Sequence, residues 1–430
     1  MPPAPTQRAP ATRSLVPSGV PGSRPSISPP TISTGIVLSG GGARGAYEAG
    51  VVAGIMEVLK PKRAPFDVLC GTSVGALNAA YLASHAHVPD MNAPGLISQW
   101  QALDLNRHLK LDMWGVLGRK RKLPKLPLTA ADDHGPSFIG RSILNTGAID
   151  ELVEHAVLWD QLRENVRSGL VRALIVAALH ITTGKTTLFA EMSGGATYKS
   201  TRDPNRTPRV GPICAEHVLA SAAIPLLFPA RRVGTEYYCD GGVRYNTPIA
   251  PAIRAGAERL VVISLLSDAP DELDDTPLER RLAAYESPIF LIGKVLNALL
   301  LDPLNYDLQI LDRFNRLITT LEHALTPEEM MRVNTMLEDN RGVAYRKVDT
   351  LVFRPSKDIG RMARTRSKAI KSSMFSSWLL ARTATLGTFW ESDLLSFILF
   401  DKDFAHELIQ LGRDDTVARA ADIRRFFGVG

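Results

Sequence analysis

The stretch Phe66-Asp-Val-Leu-Cys-Gly-Thr-Ser-Val-Gly-Ala-Leu-Asn-Ala-Ala80 constrains the fold more than any other. Val68-Leu69-Cys70 is a short apolar run and reads as a buried strand. It passes into Gly71-Thr72-Ser73-Val74-Gly75, and Ala76 to Leu82 then reads as a helix. A strand that becomes a helix within five residues turns so sharply that side chains beside the middle residue would clash. Glycine therefore stands two residues to either side. The Ser73 hydroxyl is left at the tip, at a helix N-terminus, where backbone N–H groups and the helix dipole favour negative charge. Ser73 is thus a candidate nucleophile. Any glycine-rich turn can hold a serine, so the weight comes from the strand before it and the Ala-rich helix after it.

A second loop of this kind lies upstream. Gly35 to Ser39 reads as a buried strand and runs into Gly40-Gly41-Gly42-Ala43-Arg44-Gly45. Ala46 to Leu59 then reads as a helix, stopped by Lys60-Pro61. Adjacent glycines expose backbone N–H groups able to grip an oxyanion. The same loop fits the dinucleotide fingerprint G-x-G-x-x-G, which needs an acidic residue at the end of the second strand. Asp67 stands at the start of that strand, and its end is Gly71-Thr72-Ser73, so no cofactor is expected.

The third constellation is Asp240-Gly241-Gly242, which follows a short strand at Glu236 to Cys239. Alone it would be an ordinary Asp-Gly turn. Beside the other two loops it is a candidate site, because in an α/β sheet sites collect at strand C-terminal ends. A serine hydroxyl needs a base. Of the histidines, only His323 and His406 follow Asp240, both in helical regions. His180 sits in a buried strand, and His217, on a short helix at Ala215 to Ala223, is the competitor. The simpler reading makes Asp240 itself the base, within hydrogen-bond reach of the Ser73 hydroxyl.

The remaining chain sets bounds. Its 430 residues are 45% apolar and 22% charged, enough for one large α/β domain with an appendage or for two domains. Residues 1–34 hold nine prolines, three arginines and no acid, and are expected to form a disordered leader. It lacks the apolar core of a secretory signal, and no apolar run in the chain is long enough to span a bilayer. The net charge of +6 permits attraction to anionic surfaces. The basic clusters at Arg119–Lys122 and Arg361–Lys371 lack interleaved aromatics, so nucleic acid is not expected. Cys70, Cys214 and Cys239 have no C-x-x-C spacing and read as buried free thiols in a reducing compartment. His85, His87, His108 and His134 show no metal spacing and read as solvated. Further strands are expected at Leu174–Ile181, Thr187–Phe189, Leu260–Leu266 and Val348–Phe353, a lid at Arg119–Pro136, and helices over about 278–340 and beyond 361. The apolar stretches 289–301 and 375–400 are expected to pack internally, with a lipid interface as the alternative. No internal repeat is present.

Taken together, Gly40–Gly45, Gly71–Gly75, Asp240–Gly242 and the block Ala220-Ser-Ala-Ala-Ile-Pro-Leu-Leu-Phe-Pro229 resemble the patatin-like phospholipase family, over about residues 34–270. Val348–Ser356 resembles the closing strand of its bacterial members, which would extend the domain to about 360. The resemblance implies a three-layer α/β/α sandwich around a mostly parallel sheet at 34–360, after a leader at 1–33 and before a helical C-terminal extension at 361–430. It implies a Ser73–Asp240 dyad, supported by Gly71, Gly75, Gly241 and Gly242. It implies an oxyanion hole from the loop Gly40, Gly41, Gly42, Ala43, Arg44 and Gly45, with no metal. The implied reaction is hydrolysis of fatty acyl esters, often of phospholipids or lysophospholipids; with no signal peptide or membrane-spanning run read in the sequence, a cytoplasmic or peripheral-membrane location is expected. An acyltransferase on the same site and a non-catalytic binding protein on the same fold are the rivals.

Overall fold

Strands buried on both faces belong in a parallel sheet covered by helices, and the N-terminal half is built that way. In a computed structural model, β1 (Thr34–Leu38) is buried at every residue and leads through a 3-10 turn at Gly42–Gly45 into α1 (Ala46–Leu59). β2 (Val68–Thr72) is equally buried and leads into α2 (Val74–Ser84) and α3 (Ala93–Ala102). The structure describes residues 32–103, 147–196, 198, 203–225, 227–267, 304–341, 346–369 and 392–429, with short pieces at 110–111, 138–139, 144–145, 282, 291, 294–295 and 297–298. The lid expected at Arg119–Pro136, residues 1–31 of the expected leader and most of the apolar stretch 289–301 lie outside these residues, while Thr34, expected in the leader, opens β1.

Short strands β3 (Lys110–Leu111), β4 (Phe138–Ile139) and β5 (Leu144–Asn145) precede α4 (Gly147–Ala156) and α5 (Trp159–Arg167). β6 (Ala173–His180), β7 (Thr186–Met192), β8 (Arg206–Val210), α6 (Ala215–Ser221), β9 (Ala230–Val233) and β10 (Glu236–Asp240) follow. After a 3-10 turn at Gly241–Val243 come α7 (Ile249–Arg254), β11 (Arg259–Ile263), α8 (Leu304–Ala324), α9 (Pro327–Arg341) and β12 (Asp349–Phe353). The chain closes with α10 (Ile359–Ala369), α11 (Ser392–Ile398), α12 (Lys402–Val417) and α13 (Ala420–Phe427). Residues from Ile32 on form one compact unit.

The sheet runs β12-β11-β1-β2-β6 with all neighbours parallel. Beyond this core it is antiparallel, through β7, β10, β9 and β4, with β8 parallel to β7. One pairing decides where the site falls. β7 covers one edge of β6 from Ala173 to Leu179. The other edge is shared: β2 pairs with Ala173–Ala177, and β10 takes over at Ala178–His180. β2 and β10 therefore meet head-on, and the end of one faces the end of the other.

Alternate strand residues feed the two faces. Ile36, Leu38 and Leu69 join the large core under α1, α2, α3, α6 and α12, while Val37, Cys70, Ile175 and Val262 join a smaller one under α7 and α8. The expected strands are present, and β3, β4, β5, β8 and β9 were not expected. β8 reads Arg-Thr-Pro-Arg-Val and is mostly exposed, as suits an edge strand. β9, Ala-Arg-Arg-Val, carries two arginines that hide its pairing. Two expectations fail. His85 is buried, stacked on Tyr81 at 4.2 Å, with Nδ1 against the Tyr81 carbonyl at 2.9 Å. Of the three free cysteines only Cys70 is fully buried.

The C-terminal helices are part of the large core. Phe397, Phe404, Leu408, Ile409 and Ile423 are buried in it, so the described end of the apolar stretch 375–400 faces inward. α12 lies directly on α1 through glycines. A Cβ at Gly50 would stand 2.1 Å from the Ile409 carbonyl oxygen, one at Gly54 2.7 Å from Thr416, and one at Gly412 2.3 Å from the Tyr47 carbonyl oxygen. The Tyr47 hydroxyl adds a bond to Asp415 at 3.0 Å. In an open helix Gly→Ala gains about 1 kcal/mol. Here backbone stands in the way, so Gly50→Ala is expected to destabilise the protein by about 1–3 kcal/mol. A urea unfolding curve checks this, and a variant as stable as wild type would show the helices are not in close contact.

Candidate functional site

Ser73 occupies a backbone conformation that side chains avoid, with φ 55° and ψ −128°. Such a residue costs about 1–3 kcal/mol and persists only where its surroundings over-determine it. Here they do. A Cβ at Gly71 would stand 2.1 Å from the Gly75 carbonyl oxygen, and one at Gly75 2.4 Å from that of Leu38. The Ser73 N–H donates to the Ser221 hydroxyl at 2.8 Å, and that hydroxyl donates to the Ala177 carbonyl at 2.6 Å. Ser221, on α6, has no exposed surface.

Asp240 ends β10, opposite Ala178, while Thr72 ends β2 opposite Ala177. This brings the carboxylate to the elbow. Asp240 has no exposed surface. Its Oδ1 accepts from the Gly242 N–H at 2.7 Å, and its Oδ2 is buried without a bond of normal geometry. Burial pushes the carboxyl from its ordinary 3.8 up to about 7, and the Ser73 hydroxyl and Gly242 amide act against that rise. Ser73 thus lies against a carboxylate that has one oxygen without a hydrogen bond of normal geometry.

The glycine loop is laced to the same place. Asn246 grips Gly40 from both sides: its Oδ1 accepts the Gly40 N–H at 2.8 Å, and its Nδ2 donates to the Gly40 carbonyl at 3.1 Å. A Cβ at Gly40 would sit 2.9 Å from the Ser73 Cβ. The Thr72 hydroxyl donates to the Tyr245 carbonyl at 3.2 Å, and that of Ser39 to the Ile263 carbonyl at 2.8 Å. With the Gly40 amide taken, those of Gly41, Gly42 and Ala43 have no partner among the described residues. Gly42 has φ 57°, a conformation glycine alone adopts at little cost. The Arg44 side chain is not aimed at free solvent: its Nε donates to the Ser396 hydroxyl at 2.8 Å.

Below the loops, Asn78 ties α2 to α1 and α3. Its Nδ2 donates to Glu48 Oε2 at 2.8 Å and to the Gly45 carbonyl at 3.2 Å, and its Oδ1 accepts from the Trp100 indole at 3.0 Å. Burial holds the Glu48 carboxyl well above its ordinary 4.5. A pocket opens beside Ser73, walled by Leu77, Trp100, Val218, Ile224 and Phe400. Its charged lining residue, Arg231, is held by Asp150 at 2.8 Å. The space suits an apolar chain.

No histidine is bonded to Ser73 or Asp240 among the described residues. His217 caps its own helix, with Nδ1 3.1 Å from the Cys214 amide and its ring edge-on to Phe189. His180 lies between Thr183 at 2.8 Å and Glu236 at 3.1 Å. His323 and His406 are on exposed helical surface. No cluster of metal-ligating residues occurs among the described residues. Ser221, Asn246 and the pocket walls Trp100 and Phe400 were not singled out from the sequence as site residues. Ser221 did fall inside the Ala220–Pro229 block, and Asn246 follows Asp240 within six residues, so position along the motifs was the one signal for either.

The sequence profile of the patatin-like phospholipase family matches residues 36–253. A cGAMP-activated phospholipase from Pseudomonas aeruginosa is 27% identical over 214 residues, 50% of this chain and 53% of that protein. Lysophospholipase NTE1 from Chaetomium globosum is 41% identical over 80 residues, 17% of this chain and 5% of that protein. The chain thus spans about half the length of the first of these relatives and a small part of the second. Among solved structures, VipD from Legionella pneumophila aligns at a TM-score of 0.35 and 16% identity over 88% of this chain and 67% of that one. With its profile match covering both the glycine loop and the Ser73 and Asp240 turns, the chain belongs to the patatin-like phospholipase family.

Proposed function

We propose that this protein is a serine acyl hydrolase that cleaves fatty acyl esters of phospholipids or lysophospholipids through Ser73 and Asp240. The observation that carries the reading is the head-on meeting of β2 and β10, which sets a strained serine beside a buried carboxylate with a spare oxygen, at the mouth of an apolar pocket. The names of the relatives, one a phospholipase and one a lysophospholipase, support the substrate class.

The steps follow from the groups present. Asp240 takes the Ser73 proton as the Ser73 Oγ attacks the acyl carbonyl. The negative charge that develops on the carbonyl oxygen is met by the Gly41 and Gly42 amides, whose fixed dipoles need no reorganisation. The alcohol leaves with the proton from Asp240, and the acyl group stays on Ser73. Water then gives its proton to Asp240 and attacks the acyl-enzyme. The tetrahedral intermediate collapses, and the proton returns to Ser73. A carboxyl with its pKa near 7 suits both halves of this exchange, because proton transfer in either direction is then close to balanced.

Ser73→Ala and Asp240→Asn are each expected to lose roughly a thousandfold or more in kcat on a chromogenic ester and on phospholipid vesicles. The assay is run with and without cGAMP, the activator named for the Pseudomonas relative. Folded Ser73→Ala that keeps full activity would overturn the reading, and activity lost in His217→Ala but kept in Asp240→Asn would move the base to histidine. The base works only when deprotonated, so kcat/KM should rise with pH through about 7 and then level.

Stability should move the other way. A carboxyl with its pKa raised from 3.8 to about 7 binds more protons folded than unfolded in that window, so its contribution to stability falls as pH rises through it. Asp240→Asn keeps the acceptor for Gly242 and never ionises. Its stability advantage over wild type should therefore widen between about pH 4 and pH 7, as read from unfolding midpoints across that range. An unchanging gap would mean the carboxyl is not perturbed.

A further inference from the structure

The family profile ends at residue 253, yet two of the closest contacts to the glycine loop come from beyond residue 390. A Cβ at Gly42 would stand 2.1 Å from the Phe397 carbonyl oxygen, so α11 lies backbone-to-backbone on the loop. The Arg44 Nε donates to the Ser396 hydroxyl at 2.8 Å, and the Arg44 guanidinium lies 4.4 Å from the centre of the Phe397 ring. Asn297 accepts a further bond from Arg44 at 3.1 Å. Arg44 is 4% exposed and Ser396 fully buried, so these are desolvated contacts rather than surface ones. One turn on, Phe400 lines the pocket beside Ser73, its ring parallel to Trp100 with centres 6.4 Å apart.

We propose that Ser396 and Phe397 are positioning residues for the Gly41–Gly42 amides, acting through Arg44 and Gly42, and that Phe400 completes the acyl wall. The inference rests on the hydrolase reading of the preceding section. Its physical basis is that Gly41 and Gly42 carry no side chains to anchor them, and Gly42 has φ 57°. Without an external hold, glycines sample many backbone states. An oxyanion donor displaced by about 1 Å loses around a hundredfold in rate. The hold on one side of the loop is Asn246 at Gly40. On the other side it is α11, through the buried Arg44–Ser396 bond, the stacked ring and the Phe397 backbone. The sequence from Ser392 on therefore belongs to the active site, although it carries no catalytic group.

The test is a double-mutant cycle on the full chain. Ser396→Ala and Phe397→Leu are expected to lower kcat on a short chromogenic ester by about tenfold to a hundredfold, with KM within about twofold. The rate of covalent labelling of Ser73 by a fluorophosphonate should fall in parallel, because that reaction needs the same amides. Ser396→Thr restores the hydroxyl and should restore the rate. Arg44→Met should lose a similar factor, and Arg44→Met/Ser396→Ala should be no slower than Arg44→Met alone, because Ser396 acts through Arg44. Phe400→Ala should raise KM for long acyl chains more than for short ones. Rates for Ser396→Ala and Phe397→Leu within about twofold of wild type would overturn the proposal. So would multiplicative losses in the double variant, which mark independent structural effects. Should Ser396→Ala fail to fold, Phe397→Leu carries the same expectation, since it keeps aliphatic packing and removes the ring under Arg44. Wild-type activity that does not depend on Ser73 would sink the hydrolase reading and this inference with it, whereas Ser73-dependent activity indifferent to Ser396 and Phe397 would sink this inference alone.

Discussion

The constraint on which the rest depends is the close approach of backbones around Ser73. At Gly71 and Gly75 the chain passes within contact of itself and of β1, leaving no room for a Cβ. That crowding is what forces Ser73 to φ 55°. The strain does not relax because each neighbour of the elbow is itself pinned. Ser221 ties the Ser73 amide to β6. Gly241 lies against the Ala177 carbonyl, with no space for a side chain at 2.3 Å. Asn246 locks the adjoining loop. Each bond is worth about 1 kcal/mol in net terms, and together they outweigh a strain of about 1–3 kcal/mol.

The same tight packing removes water from Asp240, and desolvation lifts its pKa to about 7. A buried carboxylate oxygen without a partner is a stability cost. Proteins tolerate such costs where chemistry needs them, and perturbed carboxyls collect at functional sites for that reason. In this chain the strained Ser73 and the desolvated Asp240 are brought to one spot by a single feature, the end-to-end abutment of β2 and β10 along a shared edge of β6. An abutment of this kind needs a mixed sheet. β2 runs parallel to β6 and β10 antiparallel, so the C-terminal ends of both point at the same spot.

What was legible in the sequence is what local physics dictates. The two strand–loop–helix units, the glycines flanking Ser73 and the Asp-Gly-Gly turn all announce themselves within fifteen residues, because tight turns demand glycine and buried strands demand apolar runs. What was not legible depends on contacts distant in sequence. Ser221 looks like one small residue among alanines until its hydroxyl is seen to bridge Ser73 and Ala177. Asn246 looks like part of a turn until it is seen to clamp Gly40. β9 was hidden because Arg231, which pairs with Asp150, reads as a solvated charge. His85 is a different case: its partner Tyr81 lies only one helical turn upstream, and what the sequence did not show is that this end of α2 is buried.

The helices beyond residue 358 make the same point at larger scale. A reading by motif places a boundary near 360, because no motif continues past it. Hydrophobic burial places none there. One face of the sheet is covered by α1 and α2, and α1 presents Gly50 and Gly54 outward, which makes sense only if another backbone lies on them. α12 supplies it, with Gly412 returning the contact and Phe404, Leu408 and Ile409 filling the space around it. A helix that carries glycine at two positions one turn apart gives up about 1 kcal/mol of propensity at each, and close packing with dispersion contacts along the seam offsets that loss. With α12 fixed on α1, α11 is delivered onto Gly42 and Arg44. The helix that begins at the glycine loop is therefore also the one against which the C-terminal segment packs. The contacts that hold α12 on α1 and those that set α11 against the loop thus belong to one continuous packed region.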